Sequence, residues 1–366
     1  MDKQVHDPPS AGRPASPGCA PGGCLRCAGP RLAAGLHGAG RPRRCLRPCC
    51  SGPCRRPRRL VFCTPAGRPR VRRHRGARTR RGPDSKTSKD RSGVESVAGQ
   101  DVRGILPEGL GAAVRDTAEE IAALLRGGAD MGRGVPGSQW TVGQAAAHLA
   151  QAGELMADIA AGRARSWGDG TPQSLAAANE RALAAFGERR AEPLAAMIVA
   201  QADACVTALE ESAAGAALVS PLGPMGPGVL GSYLLTHMLG HGYDLARALG
   251  CAHMIDRARV ELTLPFLITA MPRVSEPART AGLSASYAIR LWGGGRFGVR
   301  VAGGAVAVGP RPPDRPDCTI LIEPVTFLLM ALGRRGQWSA IAQGRILAWG
   351  RRPWLAPRFP ALFTAP

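Results

Sequence analysis

His237 and His241 stand four residues apart in THMLGHGYDLARALG (236–250), a run with no helix breaker before Gly250. On a helix that spacing puts both rings on one face, about 40° apart and one turn along the axis, so both can reach a single ion. Asp244 continues the same stripe. A third ring, His148, lies in WTVGQAAAHLA (140–150), where Ala145, Leu149, Ala152 and Met156 would share its face. Three protein ligands with a fourth position open is the arrangement of catalytic zinc, and neutral imidazole suits it. The competing reading is three separate histidines, each hydrogen-bonded in a core or at its rim. The pattern alone leaves both open.

A protein nucleophile is harder to find. Cys251 follows the C-terminal end of a helix, where the negative dipole end disfavours thiolate. Cys205 lies among Ala and Val in a helical run, and Cys318 opens a strand-like one. A thiol, if the chemistry needs one, is expected to come from outside.

The elements that would position these residues begin near 104. Leu110, Val114, Thr117, Ile121, Leu124 and Leu125 recur at helical spacing, and Gly ends the run. Thr141 and Gln144 have the spacing of a capping box at the head of the His148 helix. Helices are expected at 174–187 and 193–213, parted by Pro193, then a Pro/Gly loop VSPLGPMGPG, then a helix over 228–249. Long helices with short connections suggest an up-and-down four-helix bundle, all helical, over 104–255. Beyond 277 the period changes. YAIRLW, RFGVRVAG, GAVAVG and DCTILI read as strands, PVTFLLMALG and WSAIAQ as helices, and RILAWG as a last strand before a short terminal helix. That is an α+β domain over 277–366, with 256–275 joining the two.

The first hundred residues differ in kind. They carry 23 Lys+Arg against 5 Asp+Glu, whereas the rest of the chain is close to neutral, with 25 against 22. Eight of the eleven Cys fall there, among dense Pro and Gly and few large aliphatics. Such a stretch buries too little apolar surface to offset its ordering entropy, so 1–97 is expected to lack a packed fold. Zinc binding by CLRC and CCSGPC, or nucleic-acid binding by RRPRR and RPRVRRHRGARTRR, is the less favoured reading: the Cys spacing fits no compact zinc motif, and no aromatics interleave with the charge. The bias is also that of a GC-rich stretch translated upstream of the true start. No secretory core and no run of about 18 apolar residues is apparent, so a cytoplasmic chain without a membrane partner is expected.

Two stretches carry a resemblance. WTVGQAAAHLA and LLTHMLGHGYDLARALG resemble the signatures of the mycothiol-dependent maleylpyruvate isomerase family, a DinB-like metal-binding bundle, and PLGPM (221–225) resembles what that family carries before its last bundle helix. The tail PDCTILIEPVTFLLMALGRRGQWSAIAQGRILAWG resembles the sterol-carrier-type domain often fused to it. The likeness covers roughly 104–366. It implies that His148, His237 and His241 hold a divalent metal, zinc, with Asp244 orienting a ligand from behind, and that His148, His241, Gly242, Tyr243 and Asp244 match the family position by position. His237 departs from it, standing where the family usually has Glu, which raises the charge of the site by one. The implied chemistry is activation of an external thiol, mycothiol, toward a small-molecule electrophile, by cis–trans isomerisation or S-transfer. The alternatives are a non-catalytic metal- or lipid-binding protein with a degenerate site, and a regulatory role supported only by the basic end.

Limited proteolysis is expected to trim the first part rapidly and leave a stable fragment beginning near 98–105. A resistant N-terminal fragment on a gel would overturn the reading of 1–97.

Overall fold

The computed structural model describes residues 106–364, apart from 164, 166, 170 and 214. The expectation for 1–97 therefore lies outside the described residues. Helix α1 spans Leu110–Arg126, α2 Val142–Ala160, α3 Pro172–Ala185, α4 Ala191–Glu211 and α5 Pro227–Leu249. Helix α1 turns a stripe of Leu110, Val114, Ile121 and Leu125 into the core. Helix α2 begins with the expected capping box: the Thr141 hydroxyl accepts from the Gln144 backbone N–H, and the Gln144 side chain accepts from the Thr141 N–H. Helix α5 ends at Gly250, whose φ of 73° is the left-handed conformation that closes a helix cheaply only in glycine.

Four of these helices form a bundle, but not the up-and-down one expected. Helix α1 packs against α4 and α5, and α2 packs against the same two. Consecutive α1 and α2 thus sit across a diagonal. Arg115 reaches Asp203 and Glu210 while Arg126 reaches Glu192, so α1 and α4 are antiparallel. A Cβ at Gly153 would meet Gln201, and the Ser212 hydroxyl lies near the Ala160 carbonyl, so α2 and α4 run parallel. The order is up-down-down-up. Helix α3 and its flanks return the chain so that α4 can follow α2 in the same direction, and the connections 127–141 and 212–226 cross the diagonals. Loop length was the signal for this, because neither connection is short.

The second departure lies in the Pro/Gly loop. Strands β1 (Leu218–Ser220) and β2 (Gly223–Met225) form a small antiparallel hairpin, so the helical part is not wholly helical. Its turn is closed by the Ser220 hydroxyl, which donates to the Gly223 carbonyl and accepts from the Leu222 N–H. Arg273 then donates to the carbonyls of Leu222 and Pro224. A third departure concerns α4, which is long and apolar enough to cross a membrane by length and composition. Its alanines account for that. It packs against α1 and α2, and its Asp203 and Glu210 pair with Arg115.

Helix α6 (Arg257–Ala270), capped by Asp256, follows α5 and packs on it, with Phe266 stacked on Tyr233 at 4.3 Å between ring centroids. After the one-turn α7 (Pro277–Thr280) comes a five-stranded sheet: β3 (Ala285–Leu291), β4 (Arg296–Ala302), β5 (Ala305–Gly309), β6 (Cys318–Ile322) and β7 (Ile346–Trp349), in the order β5-β4-β3-β6-β7. Strands β3 and β6 are parallel and the other pairs antiparallel. Helices α8 (Pro324–Ala331) and α9 (Gln337–Ala342) connect β6 to β7, and Glu323 caps α8 by accepting from the Val325 and Thr326 N–H groups. Short 3-10 turns at Pro353–Arg358 and Pro360–Leu362 end the described chain. Helix α8 packs against α6, which brings the connection after it up to the bundle. The fold is a four-helix bundle followed by a small α+β domain built on a five-stranded sheet.

Replacing Thr141 by Ala removes the cap that starts the His148 helix. The expected cost is about 1 kcal/mol, read as a lower urea midpoint with unchanged slope. An unchanged midpoint would show that the box does not hold α2.

Candidate metal centre

Antiparallel α2 and α5 face each other, and His148 from the first meets His237 and His241 from the second. The His148 and His237 Nε2 atoms are 3.0 Å apart. Ring centroids are 4.9 Å apart for His148 with either partner and 4.6 Å for His237 with His241. One nitrogen of each ring lies within 4.8 Å of the other two, a grouping that could hold a metal ion. Small residues permit this approach. Ala145, Ala146, Ala147 and Ala150 surround His148 on α2, all buried. Between the two histidines of α5 sits Gly240, where a Cβ would come 3.1 Å from a Leu332 methyl. Just beyond, a Cβ at Gly242 would meet the Met254 sulfur at 2.7 Å. Side chains at either glycine would push away what packs around the site.

Burial sets the charge state of these rings. Desolvation lowers the His148 pKa from 6.5 to about 4. It pushes His237 and His241 well below the ordinary value too, helped by the neighbouring imidazoles and Arg334. All three are therefore neutral near pH 7, the form that offers a lone pair. The His237 Nδ1 is buried without a hydrogen-bond partner. Trp140 shields the other side, its ring 4.9 Å from His148 and 6.0 Å from His241.

Asp244, one turn beyond His241, places an Oδ2 3.7 Å from the His241 Nδ1. Its stronger partner comes from the second domain. Arg334, in the connection between α8 and α9, donates from Nη2 to Oδ2 at 2.9 Å and from Nε to Oδ1 at 3.4 Å. Both side chains are largely buried, so this forked pair ties the sheet domain to the histidine end of the bundle. Arg334 was not among the residues the sequence singled out. Its signal was GRRGQW directly after an apolar helix, but nothing in one dimension ties it to Asp244. The arginines that were considered, Arg290, Arg296 and Arg300, point from the strands into solvent, and none lines the cavity at the histidines. Tyr243 turns away toward His253 and Arg247. Of the cysteines, Cys205 is buried with its thiol pushed up to about 12, Cys318 is buried with its thiol also raised, and Cys251 is exposed. None of the three reaches the cavity.

The histidines open into one large cavity of about 1310 Å³ that continues beneath the sheet. A four-helix bundle that turns three imidazoles into a cavity closed by a second domain defines the class. Residues 111–246 match the model of the mycothiol maleylpyruvate isomerase N-terminal domain family. Among solved structures, the mycothiol-dependent maleylpyruvate isomerase aligns at 13% identity over 63% of this chain and 90% of its own, with a TM-score of 0.38. The ubiquinone synthesis protein UbiJ-SCP2 aligns at 18% identity over 28% of this chain and 90% of its own, with a TM-score of 0.23. The inverting sec-alkylsulfatase Pisa1 from Pseudomonas sp. aligns at 12% identity, with a TM-score of 0.26, over 38% of this chain and 24% of its own, so the chain spans about a quarter of that enzyme. No curated protein sequence matches the chain.

The neutral rings make the metal-free fold acid-sensitive. Above pH 6.5 the imidazoles are uncharged whether folded or unfolded, and their shifts contribute nothing. Below it the unfolded chain binds protons that buried His148 refuses until about pH 4, so stability falls across that window. The urea midpoint of protein stripped with a chelator is expected to drop steadily from pH 6.5 to pH 4. A flat profile would contradict the burial of the cluster.

Proposed function

We propose that this chain is a cytoplasmic, metal- and thiol-dependent enzyme of the maleylpyruvate isomerase type, in which His148, His237 and His241 hold one divalent metal, zinc. The observation that carries this is the convergence of three neutral ring nitrogens, from one buried and two half-buried histidines, within 4.8 Å of one another. Tetrahedral zinc with bonds of about 2.0–2.1 Å needs ligand atoms about 3.4 Å apart, within reach of this arrangement by small rotations of the rings. The unpartnered Nδ1 of His237 fits as well. Among the described residues of the cluster only the His237 Nδ1 is buried without a partner, at a cost of roughly 1–3 kcal/mol.

When bound, zinc lowers the pKa of a coordinated thiol and so supplies the thiolate that is the nucleophile. The chain's own residues do the rest. Trp140 and the facing helices exclude water from the imidazoles. Asp244 holds Arg334 at the rim of the cavity, where its guanidinium can face the carboxylate of an anionic electrophile. A conjugated cis double bond bound there accepts the external thiol, here mycothiol. The new C–S bond leaves a single bond free to turn, and breaking it again releases the trans isomer and the thiol. An electrophile with a leaving group would instead keep the sulfur, which is the S-transfer branch. His237 in place of a carboxylate leaves three neutral ligands, so the ion keeps its full positive charge and its pull on a bound thiol is stronger. A non-catalytic metal- or lipid-binding protein remains the alternative, and the same experiment separates them.

Metal analysis of the full chain is expected to give about one zinc per chain, and mycothiol-dependent isomerisation of maleylpyruvate to follow the zinc content. His241→Ala should lose metal and activity together while keeping its helical circular dichroism. Protein that purifies without metal and rebinds no zinc while folded would defeat the proposal. Zinc binding without thiol-dependent turnover would select the alternative.

A further inference from the structure

Several side-chain donors on the cavity wall are already committed within the fold. The Thr236 hydroxyl donates to the Ser232 carbonyl at 2.6 Å, and the Ser275 hydroxyl to the Pro272 carbonyl. Arg273 holds the β1–β2 hairpin, and Arg334 holds Asp244. Tyr233 is different. It lines the same cavity, half-buried, and nothing among the described residues hydrogen-bonds its hydroxyl. It precedes His237 by four residues, so the two share a face of α5, about 6 Å apart along the axis. Its ring is stacked on Phe266 at 4.3 Å and 8° from parallel, which fixes where the phenol points. Burial pushes its pKa up to about 12, so the oxygen keeps its proton across the physiological range. A held, protonated donor without a partner, in a cavity it shares with the histidines, is suited to an oxygen that the chain itself does not supply.

Thiol-dependent isomerisation creates such an oxygen. When a thiolate adds to a double bond conjugated with a carbonyl, a C–S bond forms at the far carbon and the displaced electron pair moves onto the carbonyl oxygen as an enolate. The former double bond is then single and turns. The pair returns from the oxygen, the C–S bond breaks, and the trans isomer and the thiolate separate. No proton is gained or lost over the cycle, so what helps is a donor that keeps its proton and bonds more strongly as charge arrives. We propose that Tyr233 is a catalytic residue of this reaction, donating its hydroxyl to the carbonyl oxygen of the electrophile as that oxygen becomes an enolate; the claim rests on the function proposed above. An electrophile that loses a leaving group from saturated carbon builds no such charge and has no use for the phenol.

Tyr233→Phe removes the hydroxyl and keeps the stacked ring, so its circular dichroism and zinc content should match those of the unaltered chain. Isomerisation of maleylpyruvate is expected to lose a factor of roughly 10²–10³ in kcat, the usual effect of deleting one oxyanion donor, with the KM for mycothiol unchanged. Alkylation of mycothiol by allyl bromide, which carries no oxygen, should keep its rate. A loss in both reactions would assign the phenol to the thiol or to the fold, and a loss in neither would leave it idle; either result overturns the inference. Titration of the full chain with acetylpyruvate, without thiol, gives a readout that needs no turnover. This diketo acid lacks the double bond, and its enolate carries the same oxyanion. Tyr233→Phe should bind it roughly tenfold more weakly at mildly alkaline pH, and equal affinity overturns the inference. A chain that holds no zinc and turns over nothing defeats the function proposed above, whereas a Tyr233-dependent affinity for acetylpyruvate still sets the phenol on a carbonyl oxygen, so the two failures are told apart.

Discussion

Three imidazoles pointed at one buried place is the constraint around which the rest is arranged. Burial keeps them uncharged, and the His237 Nδ1, buried there without a hydrogen-bond partner, carries a cost. Bringing rings from α2 and α5 that close requires helix faces made of Ala and Gly, and the first turns of α2 are nearly all alanine and glycine on both sides. The same need explains Gly240 and Gly242, which let Leu332 and Met254 close over the histidine stripe. Small residues thus stand where α2 and α5 meet at the site, while α1 carries Leu110, Val114, Ile121 and Leu125 into the core.

Much of this was legible because it is local. The capping box of α2, the i,i+4 histidines and Gly250 at the end of α5 are short-range statements, and each is where the spacing put it. The strands of the second domain were legible from their alternation, with boundaries within about two residues. What was not legible is what depends on contacts across the chain. The up-down-down-up order follows from the diagonals crossed by 127–141 and 212–226, and helical periodicity says nothing of direction. The hairpin β1–β2 hid behind Pro221 and Pro224, which read as loop, and it is held by Arg273, about fifty residues away, through two backbone carbonyls. Charge in the strands drew the eye to Arg290, Arg296 and Arg300, but alternation puts those outward. The arginine that reaches the site comes from a turn.

That arginine also decides how the two halves of the described chain relate. Arg334 spends its guanidinium on Asp244, and Asp244 lies within 3.7 Å of the His241 ring, so a change at the sheet domain is felt at the histidines through one carboxylate. Arg335, its neighbour, donates instead to the Thr326 hydroxyl, which in turn donates to Glu323, the cap of α8. Consecutive arginines therefore serve opposite ends of one connection: one secures the helix that walls the cavity, the other clamps the connection to the bundle.

This coupling bears on the His237 departure. With a carboxylate at 237, a divalent ion, two imidazoles and that carboxylate would sum to one positive charge beside the Asp244–Arg334 pair. With His237 the sum would be two, in a place where low local dielectric strengthens every charge. An arginine free to point inward would be repelled from such a centre. Held by Asp244 at 2.9 Å, it stays at the rim. With a divalent ion bound as proposed, the excess positive charge of the centre would fall on an entering thiolate. A three-histidine site of this kind needs its nearest arginine tethered more than a site with a carboxylate ligand does, and the forked pair to Asp244 is that tether.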